Sequence, residues 1–319
     1  MNWKKVGKLL LKITFSLGIL VYLFSQVSLV SLWKSFYEAE RSYIFLALIL
    51  YIIGQMLSTY KWELLVTILG FKRAFRRLLA YYFIGMFFNL FLLGSIGGDV
   101  GRAYLLAGRN ESRMRAGYSI LTERFTGGLA LITIVTIALV CFLGKEVIPY
   151  WLKLGLIGGS AAVWAFVLNF PLIIKLFPWV TRWAQKINLG DFTIYWSHPK
   201  EMILVIVISF IFQGLNVLVF TLIGMSLDLG IPIGYYFIVI PLVDLISILP
   251  ISVHGMGVRE GSYVYLLHLV GVETSKGLAF GLLGLLVVVA SSLLGGLIYV
   301  LGDYPIHLRR QRWKLTTTT

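Results

Sequence analysis

Apolar residues run in long blocks along this chain, separated by short polar and basic stretches. Uninterrupted blocks cover about 8–25, 43–69, 119–143, 152–177, 201–229 and 277–301. Each has the length that an α-helix needs to cross a hydrocarbon core of about 30 Å. They are continuous rather than alternating, which favours helices over the short period-two strands of a membrane barrel. Two further apolar regions, 78–108 and 232–271, are broken near the middle by glycine-rich polar segments, "GSIGGDVGR" (94–102) and "SVHGMGVREG" (252–261). The pattern predicts an all-α polytopic membrane protein with about six full spans and two re-entrant helical hairpins.

Composition agrees. Of 319 residues, 59% are hydrophobic and 13% charged, against about 25% charged in soluble domains. The 28 Lys and Arg exceed the 14 Asp and Glu, a net charge of +14. These cations flank apolar blocks, so they are read as topology signals and lipid contacts, not as a nucleic-acid surface. The segments 1–12, 70–77, 109–118, 178–200 and 302–319 hold 18 Lys and Arg, and the opposite segments 26–42, 144–153, 229–232 and 272–276 hold 5. Both termini are therefore expected in the cytoplasm of a cell whose inner membrane carries the protein. The N-terminal apolar run lacks a small-residue cleavage site and is expected to stay as the first helix. Tryptophans 33, 62, 151, 179, 183, 196 and 313 fall near span ends, where indole favours the headgroup level.

The order span, span, broken region, span occurs over 1–143 and again over 152–301, but starts on opposite faces. That is the signature of an inverted-topology repeat. Ser95, Gly98 and Arg102 have the spacing of Ser252, Gly255 and Arg259. The connection 144–200 carries span 152–177 of the second half and an aromatic, basic segment expected along the cytoplasmic interface. Residues 201–301 complete the second half, and 302–319 form a basic cytoplasmic tail.

The breaks carry the candidate chemistry. Glycine permits each turn, and Pro241 and Pro250 remove helical hydrogen bonds on the way into the second one. New helices are expected near Gly98 and Gly257, with Arg102 and Arg259 in or near their first turns. A helix N-terminus beside an arginine suits a phosphate. A charge at a span centre costs about 2.5–3.5 kcal/mol on insertion scales, so Asp99, Arg102, Asp244, Arg259 and Glu260 need a reason to be there. One reason is mutual pairing that locks helices, such as Arg102 with Glu123 or Arg259 with Asp244; the other is a polar substrate path. Glu123 and Arg124 lie a turn or two inside a span, so substrate contact and snorkelling both fit, and Lys61 is similar. His254 stands where the first break has Gly97, as a titratable group or a hydrogen-bonded spacer. The single cysteine, Cys141, excludes an intrachain disulfide. The four histidines show no metal-binding spacing, and no cofactor is expected.

"YKWELLVTILG", "GSIGGDVGRAYLL", "ERFTGGLAL" and "LPISVHGMGVREGSYVYLLHLVGV" together resemble the lysylphosphatidylglycerol synthase/flippase transmembrane domain over residues 10 to 300. The resemblance implies movement of lipids or lipid-linked groups between leaflets. It places function at Lys61, Gly98, Arg102, Glu123, Arg124, Gly255, Gly257, Arg259 and Glu260. The best-known members carry a soluble aminoacyl-transferase domain, and none is expected after residue 301. The leading expectation is a translocator of an anionic phospholipid or polyprenyl-phosphate-linked lipid, binding the headgroup in a central polar cavity. The alternatives are a membrane-embedded enzyme or an accessory subunit of lipid or lipid-linked glycan synthesis. A homo-oligomer or a lipid-synthesis partner protein fits either.

Overall fold

The computed structural model describes residues 14, 16–91, 97–108, 112–141, 150–176, 193–248, 252 and 255–302. They are helical, with no strand among them. In chain order the helices are α1 (Ser16–Ser25), α2 (Leu29–Glu38), α3 (Arg41–Ile68), α4 (Phe75–Phe91), α5 (Gly97–Ala107), α6 (Arg113–Cys141), α7 (Tyr150–Leu176), α8 (Pro199–Ser226), α9 (Ile233–Ile248), α10 (Val258–His268) and α11 (Thr274–Leu301). A 3-10 turn, Ile194–Ser197, leads into α8. Five helices, α3, α6, α7, α8 and α11, are long and apolar enough to cross a membrane. The α1–α2 pair qualifies only as one bent span, with 87° between its halves. The spans match the hydrophobic blocks to within a few residues, because continuous hydrophobicity fixes a membrane helix without help from its neighbours.

Helix α2 falls where the sequence predicts only a polar flank. Leu32 and Ser35 are buried while Leu29, Val30, Trp33 and Tyr37 are exposed. An amphipathic helix set across the axis of its neighbour in this way suits the plane of the membrane surface.

The centre of the bundle is the antiparallel pair α3 and α8. The Glu40 N–H donates to the Ser226 carbonyl at one end (2.9 Å), and the Tyr195 hydroxyl reaches the Leu65 carbonyl (3.4 Å) near the other. Because α4–α5 follows the end of α3 and α9–α10 follows the end of α8, the two hairpins enter from opposite ends of the bundle. Both return to the end they came from. In the first, Gly98 lies against Gly85 and Asn89, and the Arg73 guanidinium reaches the Leu106 carbonyl (3.2 Å). In the second, Gly255 lies against Ser247, and the Tyr235 hydroxyl donates to Leu266 (2.7 Å). α9 runs straight through Pro241, so that proline does not break the chain, and Pro250 lies outside the described residues.

Packing crosses between the halves. α4 lies on α11, and α9 lies on α6. Buried apolar side chains form two clusters. One joins Trp62, Leu65, Leu78, Leu106 and Ile120 at the first hairpin's end. The other joins Val135, Ile223, Val239, Tyr263 and Phe280 at the second hairpin's end. Between them the bundle is hollow.

Candidate functional site

The hollow is a cavity of about 830 Å³ lined from α3, α4, α5, α6, α7, α8, α9 and α11. Its polar wall lies at the lysine- and arginine-rich end. Lys61 sits seven residues before the end of α3, about 10 Å along the axis at 1.5 Å per residue. The cavity runs from there towards Gln213 on α8 and Tyr51 on α3, near the middle of the bundle. The facing wall is apolar, with Leu121, Phe125 and Ile132 from α6 and Val163 from α7.

Arg102 is held from every side. Its stem lies over Gly85, where a Cβ would collide with it, and a Cβ on Gly98 would run into the Gly85 carbonyl. Only glycine at both positions lets α4 and α5 approach this closely. The guanidinium lies over the ring of Trp62 (4.2 Å) and over that of Tyr82 (4.1 Å), two rings set edge to face at 63°, so it meets both π-systems at once. The Trp62 indole is fixed by its hydrogen bond to the Ser119 hydroxyl (2.9 Å). Arg102 Nη2 donates to Glu123 Oε2 at 2.6 Å, and Nη1 lies 3.8 Å from Asp99 Oδ1. Arg102 Nε is buried without a partner.

The carboxylates are equally committed. Glu123 Oε1 accepts from the hydroxyls of Tyr82 (3.0 Å) and Ser58 (3.2 Å) while Oε2 takes Arg102. Asp99 accepts from Arg124 Nε at 2.5 Å. The N–H of Gly98, in the first turn of α5, donates to Asn89 Oδ1 (2.7 Å), so the side chain of α4 caps the helix that returns beside it.

Lys61 differs from all of these. It is 2% exposed, and no carboxylate lies within 4 Å of its ammonium among the described residues. Nζ donates to the Glu123 backbone carbonyl (3.2 Å) and stands 5.9 Å from the Phe212 ring. An ammonium has three donors; one is used, and the side chain borders the cavity. The described cluster holds three cations, Lys61, Arg102 and Arg124, against two carboxylates, Asp99 and Glu123. Both carboxylates are hydrogen-bonded or ion-paired within the cluster. The formal charge of these five side chains is +1.

A buried polar cluster of this kind, in a glycine-rich hairpin beside an amphiphile-sized hollow, lies within the residues 9–314 that match the family described as "Lysylphosphatidylglycerol synthase TM region". The chain belongs to that family. Membership makes it a multi-pass membrane protein of lipid-related function, and the matched region is the membrane part rather than a catalytic domain. No curated protein and no solved structure matches the chain.

In this family member the sequence-predicted residues divide into two groups. Lys61, Asp99, Arg102, Glu123 and Arg124 come together at the cavity, with Gly98 shaping it. Asp244, Gly255, Gly257, Arg259 and Glu260 do not line it. They belong to the second hairpin, where the Glu260 carboxylate accepts from the Gly257 N–H (2.8 Å) and from Arg259 Nε and Nη2 (3.2 Å each). Gly257 has φ +79° and sits against the Ser16 carbonyl and Ile19 of α1, so α1 closes this hairpin over. Arg259 finds Glu260 as its close ion-pair partner, whereas Asp244 takes the Asn216 amide (2.9 Å). Of the two pairings offered as helix locks, Arg102 with Glu123 forms, whereas the close partner of Arg259 is Glu260, whose carboxylate turns back over the start of α10 to take the Gly257 N–H. His254 lies outside the described residues.

Trp62 also differs from expectation. It is fully buried, in the apolar cluster with Leu65 and Leu78 and under Arg102, and so is not exposed as an interfacial anchor would be. Sequence reasoning missed Gln55, Ser58, Tyr82, Asn89 and Gln213. A signal was available on α3, where Gln55, Ser58, Thr59 and Trp62 recur at three- and four-residue steps inside an apolar span.

Proposed function

We propose that this protein is a translocator that moves an anionic phospholipid or polyprenyl-phosphate-linked lipid between the leaflets of the cell membrane. On this reading the phosphate enters the cavity at Lys61 and Arg102, and the hydrocarbon follows the wall of Leu121, Phe125, Ile132 and Val163. The observation that carries it is Lys61, a buried ammonium with one hydrogen bond and no close carboxylate, bordering a cavity of about 830 Å³. Keeping a charge in a membrane interior costs about 2.5–3.5 kcal/mol; Glu123 offsets part of this for Lys61 without closing an ion pair, and an incoming phosphate relieves more of it. Pockets of about 300–1,000 Å³ suit small ligands, and a lipid headgroup is of that class.

The two halves act as an inverted repeat with both termini in the cytoplasm. The opposed hairpins and the exchange of α4 and α9 onto the last helix of the other half support this. The polar wall of the cavity stands towards the basic end, while α1 covers the second hairpin. Rocking of the halves would exchange these two conditions and change the open face. The protein carries no reaction of its own on this reading.

The test is lipid transfer in proteoliposomes, followed by quenching of labelled phosphatidylglycerol or labelled polyprenyl phosphate in separate arms. The wild type is expected to accelerate transfer in at least one arm, and Lys61→Gln to lose at least about tenfold of it, as for 1.4 kcal/mol of binding. Wild-type vesicles no faster than empty ones with either lipid would refute translocation.

A further inference from the structure

The second hairpin has the opposite imbalance from the first. Its described charges are one cation, Arg259, and two carboxylates, Asp244 and Glu260. Glu260 is fully engaged, since it takes the Gly257 N–H and two donors of Arg259. Asp244 has only the Asn216 amide, at 2.9 Å, and no cation lies within 4 Å of it among the described residues. It stands eleven residues into α9, about 16 Å from that helix's start, deep in the bundle. A second observation falls in the same cluster. The Tyr263 hydroxyl is fully buried, has no hydrogen-bond partner, and interacts electrostatically with Asp244, Arg259 and Glu260.

We propose that Asp244 is a proton-binding carboxyl that couples lipid movement to a proton gradient. This rests on the translocation reading above. Protonation joins one proton to the Asp244 carboxylate and breaks no other bond. It removes the surplus negative charge from the second hairpin, in a cluster where the Tyr263 hydroxyl is buried without a hydrogen-bond partner. Among the described residues, the groups facing Asp244 are few. α8 offers Asn216, α10 offers Arg259, Glu260 and Tyr263, and α3 offers Tyr51. α6 carries no titratable residue from 126 to 140, and on α9 itself Tyr235 and Tyr236 lie in the first turn.

The two sites communicate through shared residues. Leu245 and Ile248, beside Asp244 on α9, line the cavity, and Tyr51 lines it while interacting with both Asp244 and Arg259. An anionic headgroup arriving in this low-dielectric hollow repels the Asp244 carboxylate and so favours its protonation. By linkage, protonation favours the headgroup equally. Proton and anion therefore travel together, and a proton gradient drives the lipid towards the leaflet on the alkaline side.

Two measurements test this. Infrared difference spectra of the whole protein in nanodiscs, taken between alkaline and acidic buffer, should show a protonated-carboxyl band that Asp244→Asn loses and Glu260→Gln keeps. In proteoliposomes, a pH gradient should bias wild-type transfer of labelled phosphatidylglycerol towards the alkaline side by about tenfold, the ratio given by 1.4 kcal/mol. Asp244→Asn, which mimics the neutral acid, should transfer without bias. A band unchanged in Asp244→Asn overturns the proposal. So does wild-type transfer that ignores the pH gradient, or that follows a sodium gradient at constant pH. If no lipid moves under any condition while the band behaves as expected, translocation falls and the protonation site stands.

Discussion

The two hairpins are built from the same parts and do opposite things with them. Each is a pair of antiparallel helices joined at a glycine-rich tip, with an arginine early in the returning helix. In the first, Arg102 reaches across to Glu123 on α6 and lies over the ring of Trp62 of α3, so three separate elements define its position. In the second, Arg259 turns back onto the adjacent Glu260, which also holds the Gly257 N–H. The first hairpin places its charge network against a cavity; the second closes its own network under α1. The difference is one of sequence distance: a cation whose partner lies on another helix must organise the space between helices, and one whose partner is next in the chain need not.

The comparison breaks most visibly at Glu123. Glu123→Ala leaves Arg102 buried without its close partner and strands the hydroxyls of Ser58 and Tyr82. Losing one member of a buried pair costs about 3–5 kcal/mol, so thermal unfolding in detergent should shift strongly or the protein should fail to assemble. Glu260→Gln keeps an acceptor for Gly257 and should cost less, which makes the ranking of the two variants the direct check.

Next comes backbone approach. Gly98→Ala places a methyl group against the Gly85 carbonyl and Asn89, and overpacking of this kind costs about 1–3 kcal/mol. It should displace Arg102 and reduce both stability and lipid transfer. Gly255→Ala brings its methyl to 3.1 Å from the Ser247 Cβ and must keep φ +74°, and should affect stability alone. Equal loss of transfer in the two variants would erase the functional distinction between the hairpins.

The smallest stability effect is the most informative. Lys61→Met removes a desolvated ammonium with no close carboxylate and replaces it with an apolar chain of similar length. Stability should be unchanged or raised, while retention of phosphatidylglycerol, read by native mass spectrometry, should fall. A variant that loses stability and keeps its lipid would assign Lys61 to structure.

Much of the architecture was legible in the chain. The α3, α6, α7, α8 and α11 helices and both breaks follow from hydrophobic blocks, because in lipid each span must satisfy its own backbone and so declares itself locally. The opposite entry of the hairpins followed from parity alone. The lateral helix α2 was not seen, since its apolar face is shorter than a span and its orientation depends on what it lies against. The site was partly legible. Insertion cost singled out Asp99 and Arg102, which line the cavity, together with Asp244, Arg259 and Glu260, which do not. Lys61, Glu123 and Arg124 stood open between substrate contact and snorkelling until the resemblance pointed to them.

What the sequence determined by itself is therefore the number and order of apolar elements, the placement of basic flanks and the identity of charges too expensive to be incidental. Tertiary structure alone decided the partners. It put Trp62 under Arg102, left Lys61 with a single carbonyl, and kept Asp244 apart from Arg259. Pairing inside a bundle depends on which helix faces meet and at what depth, a distance of a few ångströms across space that spacing along the chain does not encode.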